Sequence, residues 1–401
     1  MKVRQKAMTA LAVTAILAGS AAGAHLLASP PVQAAASAPD TVPLLLKNRS
    51  GLGERVYVYV LGTSLSTGRQ GYADAKGVFH PWPAAGATPV PAPDVAIAGP
   101  GHGHSLMLKL PKLSGRVYFS YGRKLDFRLT GDGLVQPAPQ NPSDPNRDTL
   151  FNWAEYTLND SGLWLNSTQV DMVSAPYAVG LMRSDGSVVR TGRLEPGGYH
   201  AFFEDLRSRP GGWRGLVQTR SDGTVLRALS PGHGVTSGAL PADITDDYVN
   251  RVWEKYTGST LTVAPFSDRP QVKYHGRVSG DTMNFTDDSG QFVTAFKKPD
   301  ADSVFNCHKH LDAPNDPVRG PISRTLCAGY NRGTLLDGNV EPDSPSAATA
   351  ETGTNLYARN LHAHMADGKA YAFAFDDVGH QEPLVHDADP RRAYLTLDPF
   401  S

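Results

Sequence analysis

Trp153-Ala154-Glu155-Tyr156-Thr157-Leu158-Asn159-Asp160, followed at Gln169-Val170-Asp171-Met172 by a second acidic residue in a mostly apolar setting, decides how this chain is read. Strand alternation sends Trp153, Glu155, Thr157 and Asn159 to one face and Ala154, Tyr156 and Leu158 to the other. The second set suits a core. The first is a row of hydrogen-bonding groups with an aromatic. A Gly-Leu-Trp-Leu connection (Gly162 to Leu165) places an indole between the two acidic segments, with Asn166 and Thr168 beside it. Taken singly, an acidic residue on a strand is as a rule a solvated face or a salt-bridge partner. Two of them on neighbouring strands, with an indole and hydroxyls nearby, are what cleavage of a glycosidic bond requires. One carboxyl must protonate the leaving oxygen, and one carboxylate must act as base or nucleophile. Strands about 4.8 Å apart can present the pair at either the inverting or the retaining separation, so spacing leaves that choice open.

Outward from this stretch the chain reads as β. Arg55 to Gly62 is an eight-residue run of β-branched and aromatic residues, and Leu106–Leu110, Arg116–Ser120 and Leu125–Leu129 repeat the alternation between turns. Such spacing predicts a sandwich or barrel. Residues 81–101 and 137–148 read as loops. After Leu181 the texture changes. Ile244, Tyr248, Val249, Val252, Trp253 and Tyr256 recur at helical spacing behind Asp243 as N-cap, Asp302 caps a segment through His310, and Ile322, Leu326 and Tyr330 precede a stop at Gly333. Short strands at 261–263 and 292–296 lie between them. Residues 337–353 read as a return linker, and Ala370–Asp377 and Arg392–Leu397 as closing strands. The expected organisation is a β domain, 37–181 with 350–401, interrupted by a mixed α/β domain, 182–349, with a wide groove between them; domain interfaces favour ligand sites.

Residues 1–36 read as a secretory signal peptide. Lys2, Arg4 and Lys6 precede an apolar run from Leu11 to Leu17, and Val32-Gln33-Ala34 or Ala34-Ala35-Ala36 offers a small-residue cleavage site. Removing those three cations takes the formal net charge from −1 to −4. A mildly acidic, secreted, membrane-free chain argues against nucleic acid or an anionic membrane as partner and suits a neutral polysaccharide. The two cysteines, Cys307 and Cys327, are expected to form one disulfide, with a stabilisation of about 3 kcal/mol.

Other constellations carry less. Cys307-His308-Lys309-His310 has no second cluster at zinc spacing. His362 and His364, on a strand-like segment, and Gly101-His102-Gly103-His104, in a turn, match no metal-site pattern. No nucleophile elbow or phosphate loop is present. Asp376-Asp377 reads as a turn cap after its strand. No metal or organic cofactor is called for.

Ala154-Glu155-Tyr156-Thr157-Leu158 and Val170-Asp171-Met172-Val173-Ser174-Ala175-Pro176 resemble the thaumatin-like pattern AEFTL…VDGFNxP, and Tyr371–Asp377 resembles that fold's late Y-x-Y-A-x-D-D strand. With two cysteines and a long α/β insertion, the chain over residues 41–401 is similar to the secreted bacterial β-1,3-glucanases of glycoside hydrolase family 64, which release laminaripentaose. The resemblance implies Glu155 as general acid and Asp171 as general base of an inverting reaction. It also places Thr157, Asn159, Trp164 and Thr168 along the glucan groove. A monomer is expected. Asn166 stands where plant members carry a further Asp, so the acidic cleft of those proteins does not transfer. Arg123 is a loose match for an Arg of that cleft. The alternative from another class is a non-catalytic, thaumatin-like glucan-binding wall protein, separable by release of reducing sugar from laminarin.

Overall fold

The computed structural model describes residues 38–343 and 354–401; residues 1–36, expected to be a signal peptide, and most of the expected linker lie outside them. Two sheets built from twelve strands organise the molecule: β1 (Thr41–Asn48), β2 (Val56–Ser64), β3 (Gln70–Ala73), β4 (Phe79–Pro81), β5 (Ser105–Pro111), β6 (Leu113–Tyr121), β7 (Leu150–Asn159), β8 (Gly162–Ser167), β9 (Tyr177–Met182), β10 (Val188–Thr191), β11 (Leu384–Asp387) and β12 (Arg392–Leu397). The first sheet runs β10-β9-β12-β1-β5 and the second β11-β8-β7-β6-β2-β3-β4, with Ile97–Ala98 also pairing on β2. All neighbours are antiparallel except β1 and β12, the first and last strands, which pair in parallel from Leu44↔Ala393 to Asn48↔Leu397.

Alternation explains why the two sheets face each other. β1 buries every second residue. Val42, Leu44 and Leu46 meet Val117 and Phe119 of β6 and Tyr156 and Leu158 of β7 in one core. Full burial of each such side chain stabilises the fold by about 1.5–3 kcal/mol. Glu155 and Thr157 of β7 therefore point out of the sandwich and are half-buried.

Part of that outer face is roofed. Tyr59, Leu61, Tyr118, Phe151 and Trp153 pack with Trp82, Leu125, Phe127 and Leu129 of the overlying loops into a second cluster. The third and largest cluster belongs to the α/β part. It is built on α1 (Gly198–Ser208), α3 (Asp246–Gly258), α4 (Ala301–Asn306), α5 (Arg319–Arg332) and α6 (Leu356–His364) together with a small five-stranded sheet, antiparallel except for one parallel edge pair. A further short helix, α2 (Pro231–Ser237), starts after Ser230.

The expected helices form, with corrected caps. Thr245, not Asp243, is the N-cap of α3. The Asp300 carboxylate, not that of Asp302, accepts the Ser303 N–H at the start of α4. Gly333 ends α5 in the left-handed region at φ 84°, which favours glycine. Several segments differ from expectation: of the expected strand Leu125–Leu129, residues 125–127 are coil and the strand is Arg128–Thr130. Ala370–Asp377 is a coil and turn rather than a strand, because Asp376 turns inward to accept the Ala372 N–H and to pair with Arg332 and His362. His362 and His364 lie on α6, not on a strand. Residues 356–373 pack in the α/β cluster, and the chain rejoins the sandwich at β11. Cys307 and Cys327 are joined in a disulfide that ties the end of α4 to α5.

Candidate active site

Strand register brings the site together. Leu61, Arg116, Glu155, Asn166 and Leu384 stand directly opposite one another across β2, β6, β7, β8 and β11. One strand-pair further along, Thr63, Ser114, Thr157, Trp164 and His386 form a second row on the same face. Directly opposed side chains on one face are the closest neighbours a sheet offers.

Glu155 is held by both strand partners. Arg116 donates from Nε to Oε1 at 3.2 Å, and its Nη2 lies 3.1 Å from the same oxygen. The Asn166 amide approaches Oε2 at 3.5 Å. Arg116 is itself fixed from beneath, with its guanidinium 4.7 Å from the centre of the Trp153 ring and Nη1 donating to the Tyr118 hydroxyl at 3.3 Å. Burial opposes its charge, but Tyr118, Glu155 and Asp171 outweigh burial and raise its pKa above the ordinary arginine range.

Asp171 is not on a strand. It sits in the bend between β8 and the two-residue strand Met172–Val173. Its carbonyl accepts the Ser230 N–H at 2.9 Å, and Met172 and Val173 pair with Leu229 and Ala228. The same segment launches α2, whose His233 Nε2 lies 3.1 Å from Asp171 Oδ1. Arg116 Nη2 lies 3.8 Å from Asp171 Oδ2. Burial pushes the Asp171 carboxyl up. The His233 hydrogen bond and the charges of His233 and Arg116 more than offset it and hold the pKa below the usual carboxylate value. One guanidinium nitrogen thus reaches both acids, and the sum of 3.1 Å and 3.8 Å caps the Oε1 to Oδ2 separation at about 6.9 Å.

The bend carrying Asp171 is stitched from a distance. The Thr168 N–H donates to the Tyr177 hydroxyl at 2.8 Å, and that hydroxyl donates to the Trp153 carbonyl at 2.5 Å. The Tyr357 hydroxyl donates to the Gln169 carbonyl at 2.6 Å, and the Gln169 N–H to the Tyr371 carbonyl at 2.8 Å.

Of the residues singled out in the sequence, Glu155, Asp171, Thr157 and Trp164 are brought to one surface. Trp164 belongs to β8 rather than to a connection, and its ring lies flat on the exposed His386 ring, 4.2 Å between centres and 9° between planes. The Thr157 hydroxyl meets that of Ser114 at 3.2 Å. Asn159 faces the same side but spends Oδ1 on the Ser161 N–H of the β7–β8 turn. Thr168 is 3% exposed, so its side chain is interior and not on the groove surface.

Arg116, His233 and His386 were missed, and Arg123 lies in the turn after β6, where its carbonyl accepts from Ser120. The signal for Arg116 was available: antiparallel pairing of two alternating strands would have opposed it to Glu155. Elsewhere, His308 pairs with Asp302 and His310 with the Lys298 carbonyl. Among the described residues no group of three or more His, Cys, Asp or Glu is placed to hold a metal ion.

Comparison with known proteins gives a consistent picture. A family model described as Beta-1,3-glucanase matches residues 40–397. Two enzymes named glucan endo-1,3-beta-glucosidase, from Arthrobacter sp. (strain YCWD3) and Cellulosimicrobium cellulans, are each 54% identical over 371 residues, 92% of this chain and 67% of theirs. The crystal structure of a laminaripentaose-producing beta-1,3-glucanase in complex with laminaritetraose superimposes with a TM-score of 0.88 at 66% identity, covering 90% of this chain and all of that one. A beta-1,3-glucanase domain from Clostridium beijerinckii shares the fold at a TM-score of 0.74 and 24% identity, covering 92% of this chain and all of that one.

Proposed function

The chain belongs to the β-1,3-glucanases of glycoside hydrolase family 64, and from that premise we propose that Glu155 is the general acid and Asp171 the general base of an inverting hydrolysis. Its activity is endo-hydrolysis of β-1,3-glucan. The observation that carries the assignment is the single guanidinium, Arg116, lying between the two acids on the open face of the second sheet.

The two carboxyl groups differ in their partners: Glu155 meets Arg116 and the Asn166 amide, whereas Asp171 meets His233 as well as Arg116. Glu155 commits Oε1 to Arg116, so Oε2, facing the weakly placed Asn166 amide, is the oxygen that donates a proton to the departing glycosidic oxygen. Asp171, kept ionised by His233 and Arg116, takes a proton from the attacking water through Oδ2. Water adds to the anomeric carbon as the glycosidic bond breaks; both acids then exchange protons with solvent and reset. A water between two carboxyls needs about 6.5–9.5 Å and direct nucleophilic attack about 5–5.5 Å; the cap of about 6.9 Å set by Arg116 admits both. The family resemblance supplies the choice of inversion over retention.

Thr157, Ser114 and the Trp164–His386 pair continue the site along the sheet. We assign them to glucose units on either side of the scissile bond, with the free indole face as platform and the hydroxyls as hydrogen-bonding partners. Laminaripentaose is the proposed product, a thaumatin-like sandwich the proposed fold family, and secretion of a monomer through residues 1–36 the proposed route.

Glu155→Gln should lower kcat on laminarin by about 10²–10⁴-fold while laminari-oligosaccharide binding persists in calorimetry; turnover at the wild-type rate would refute the acid. The configuration of fresh product, followed by polarimetry or NMR, should be α, opposite to the β linkage cut. Initial β product would remove the inverting assignment and leave the two acids in a retaining one.

A further inference from the structure

The sandwich has a second outer face, on the sheet opposite the catalytic one, and its chemistry is different. The alternation that buries Val42, Leu44 and Leu46 of β1 and Ala393, Leu395 and Leu397 of β12 sends Lys47, Tyr394 and Thr396 outward. There they line a cavity of about 280 Å³ together with Arg49, Arg190 and Arg193. Four cations surround it in a chain whose formal net charge is −1. Asp398 answers Arg193 at 3.0 Å. Among the described residues no carboxylate lies within ion-pair distance of Lys47, Arg49 or Arg190.

The cavity is shaped by sequence. Gly180 stands opposite both Arg190 and Tyr394 in the register. Its missing side chain lets the Arg190 guanidinium cross to within 5.4 Å of the Tyr394 ring centre. A Cβ at Gly180 would come within 3.0 Å of Arg190 Cγ and 2.9 Å of the Val189 carbonyl. The arrangement is a preformed hollow with a tyrosine wall, a hydroxyl from Thr396 and four cations that the single carboxylate of Asp398, which feels Arg193 and Arg49, answers only in part.

We propose that this hollow is a second, non-catalytic binding site for an anionic polysaccharide, taking one ring that bears a carboxylate or phosphate group. Arginine forks match either acid in two-point geometry. The tyrosine and hydroxyl suit the sugar that carries it. The volume lies just below the roughly 300–1,000 Å³ of sites for drug-sized ligands, which fits a single substituted ring rather than a lipid chain. The site is separated from Glu155 by the full thickness of the sandwich, so it holds polymer without competing for β-1,3-glucan.

The test is calorimetry on the full chain, with polygalacturonate as the carboxylate probe, a phosphate-substituted mannan as the phosphate probe and laminarin as the neutral control. The wild-type protein should bind at least one of the two acids at low salt, weakening as salt rises; the tighter of the two names the group. R49Q/R190Q should weaken that binding at least tenfold, K47Q should weaken it less, and laminarin turnover should stay at the wild-type rate in all three proteins. Glu155→Gln should leave polyanion binding unchanged. Absence of binding to both acids, equal affinity in R49Q/R190Q, or loss of binding in Glu155→Gln would each overturn the proposal.

Discussion

At the scale of single residues, Asp171 owes its depressed pKa to two partners from different parts of the chain, His233 on α2 and Arg116 on β6. Removing His233 deletes a hydrogen bond and a nearby charge, both of which lower that pKa. His233→Ala should therefore raise it. Since Asp171, as the proposed base, must be ionised to act, the acidic limb of the kcat/KM profile on laminarin should move to higher pH, with activity falling more at acid than at neutral pH. An acidic limb that stays in place would show that His233 does not tune the base. Glu155 and Asp171 were legible in the chain because each stands in a short, patterned block. Arg116 and His233 were not, since each meets its acid across tens of residues of chain. Arg123 drew attention instead, although the guanidinium at the acids belongs to a residue whose strand had already been recognised.

At the scale of elements, β6 shows how closely two strands approach beneath the site. Gly115 pairs with Gly62 of β2, and a Cβ on Gly115 would fall 2.1 Å from the Leu61 carbonyl and 2.6 Å from Gly62 Cα. Gly115→Ala must push β6 from β2, at a cost of about 1–3 kcal/mol, and displace the adjoining Arg116 from both acids. Urea unfolding and laminarin kinetics should show stability and kcat falling together. Gly53→Ala, in open space without a strained φ, is the control and should stay within about 0.5 kcal/mol of wild type. Strands with strong alternation, β7 above all, could be read directly, as could α3 and α5 from their spacing. Trp164 looked like a connection because Gly162 opens β8 immediately after the turn. The Ala370–Asp377 run has strand-like composition, yet the pull of a buried Arg332–Asp376–His362 cluster folds it into a turn. Composition does not report that kind of tertiary override. The same limit hid α6.

For the whole molecule, the decisive contacts span great lengths of chain. β12 inserts between β9 and β1, so the first sheet is incomplete until the last strand is added. The Asp171 bend depends on Tyr357 and Tyr371, 188 and 202 residues beyond Gln169. Glu155 needs only the local pairing of β6, β7 and β8. Contacts closed over such distances form slowly. Recovery of laminarin turnover after dilution from urea should therefore lag behind recovery of the far-ultraviolet circular dichroism signal, and simultaneous recovery would contradict this order. The stitched bend thus acts as a clock. With Glu155 as the proposed proton donor and Asp171 as the proposed base, a partly folded chain can already display the first, but it gains the second only when its final stretches have found their places.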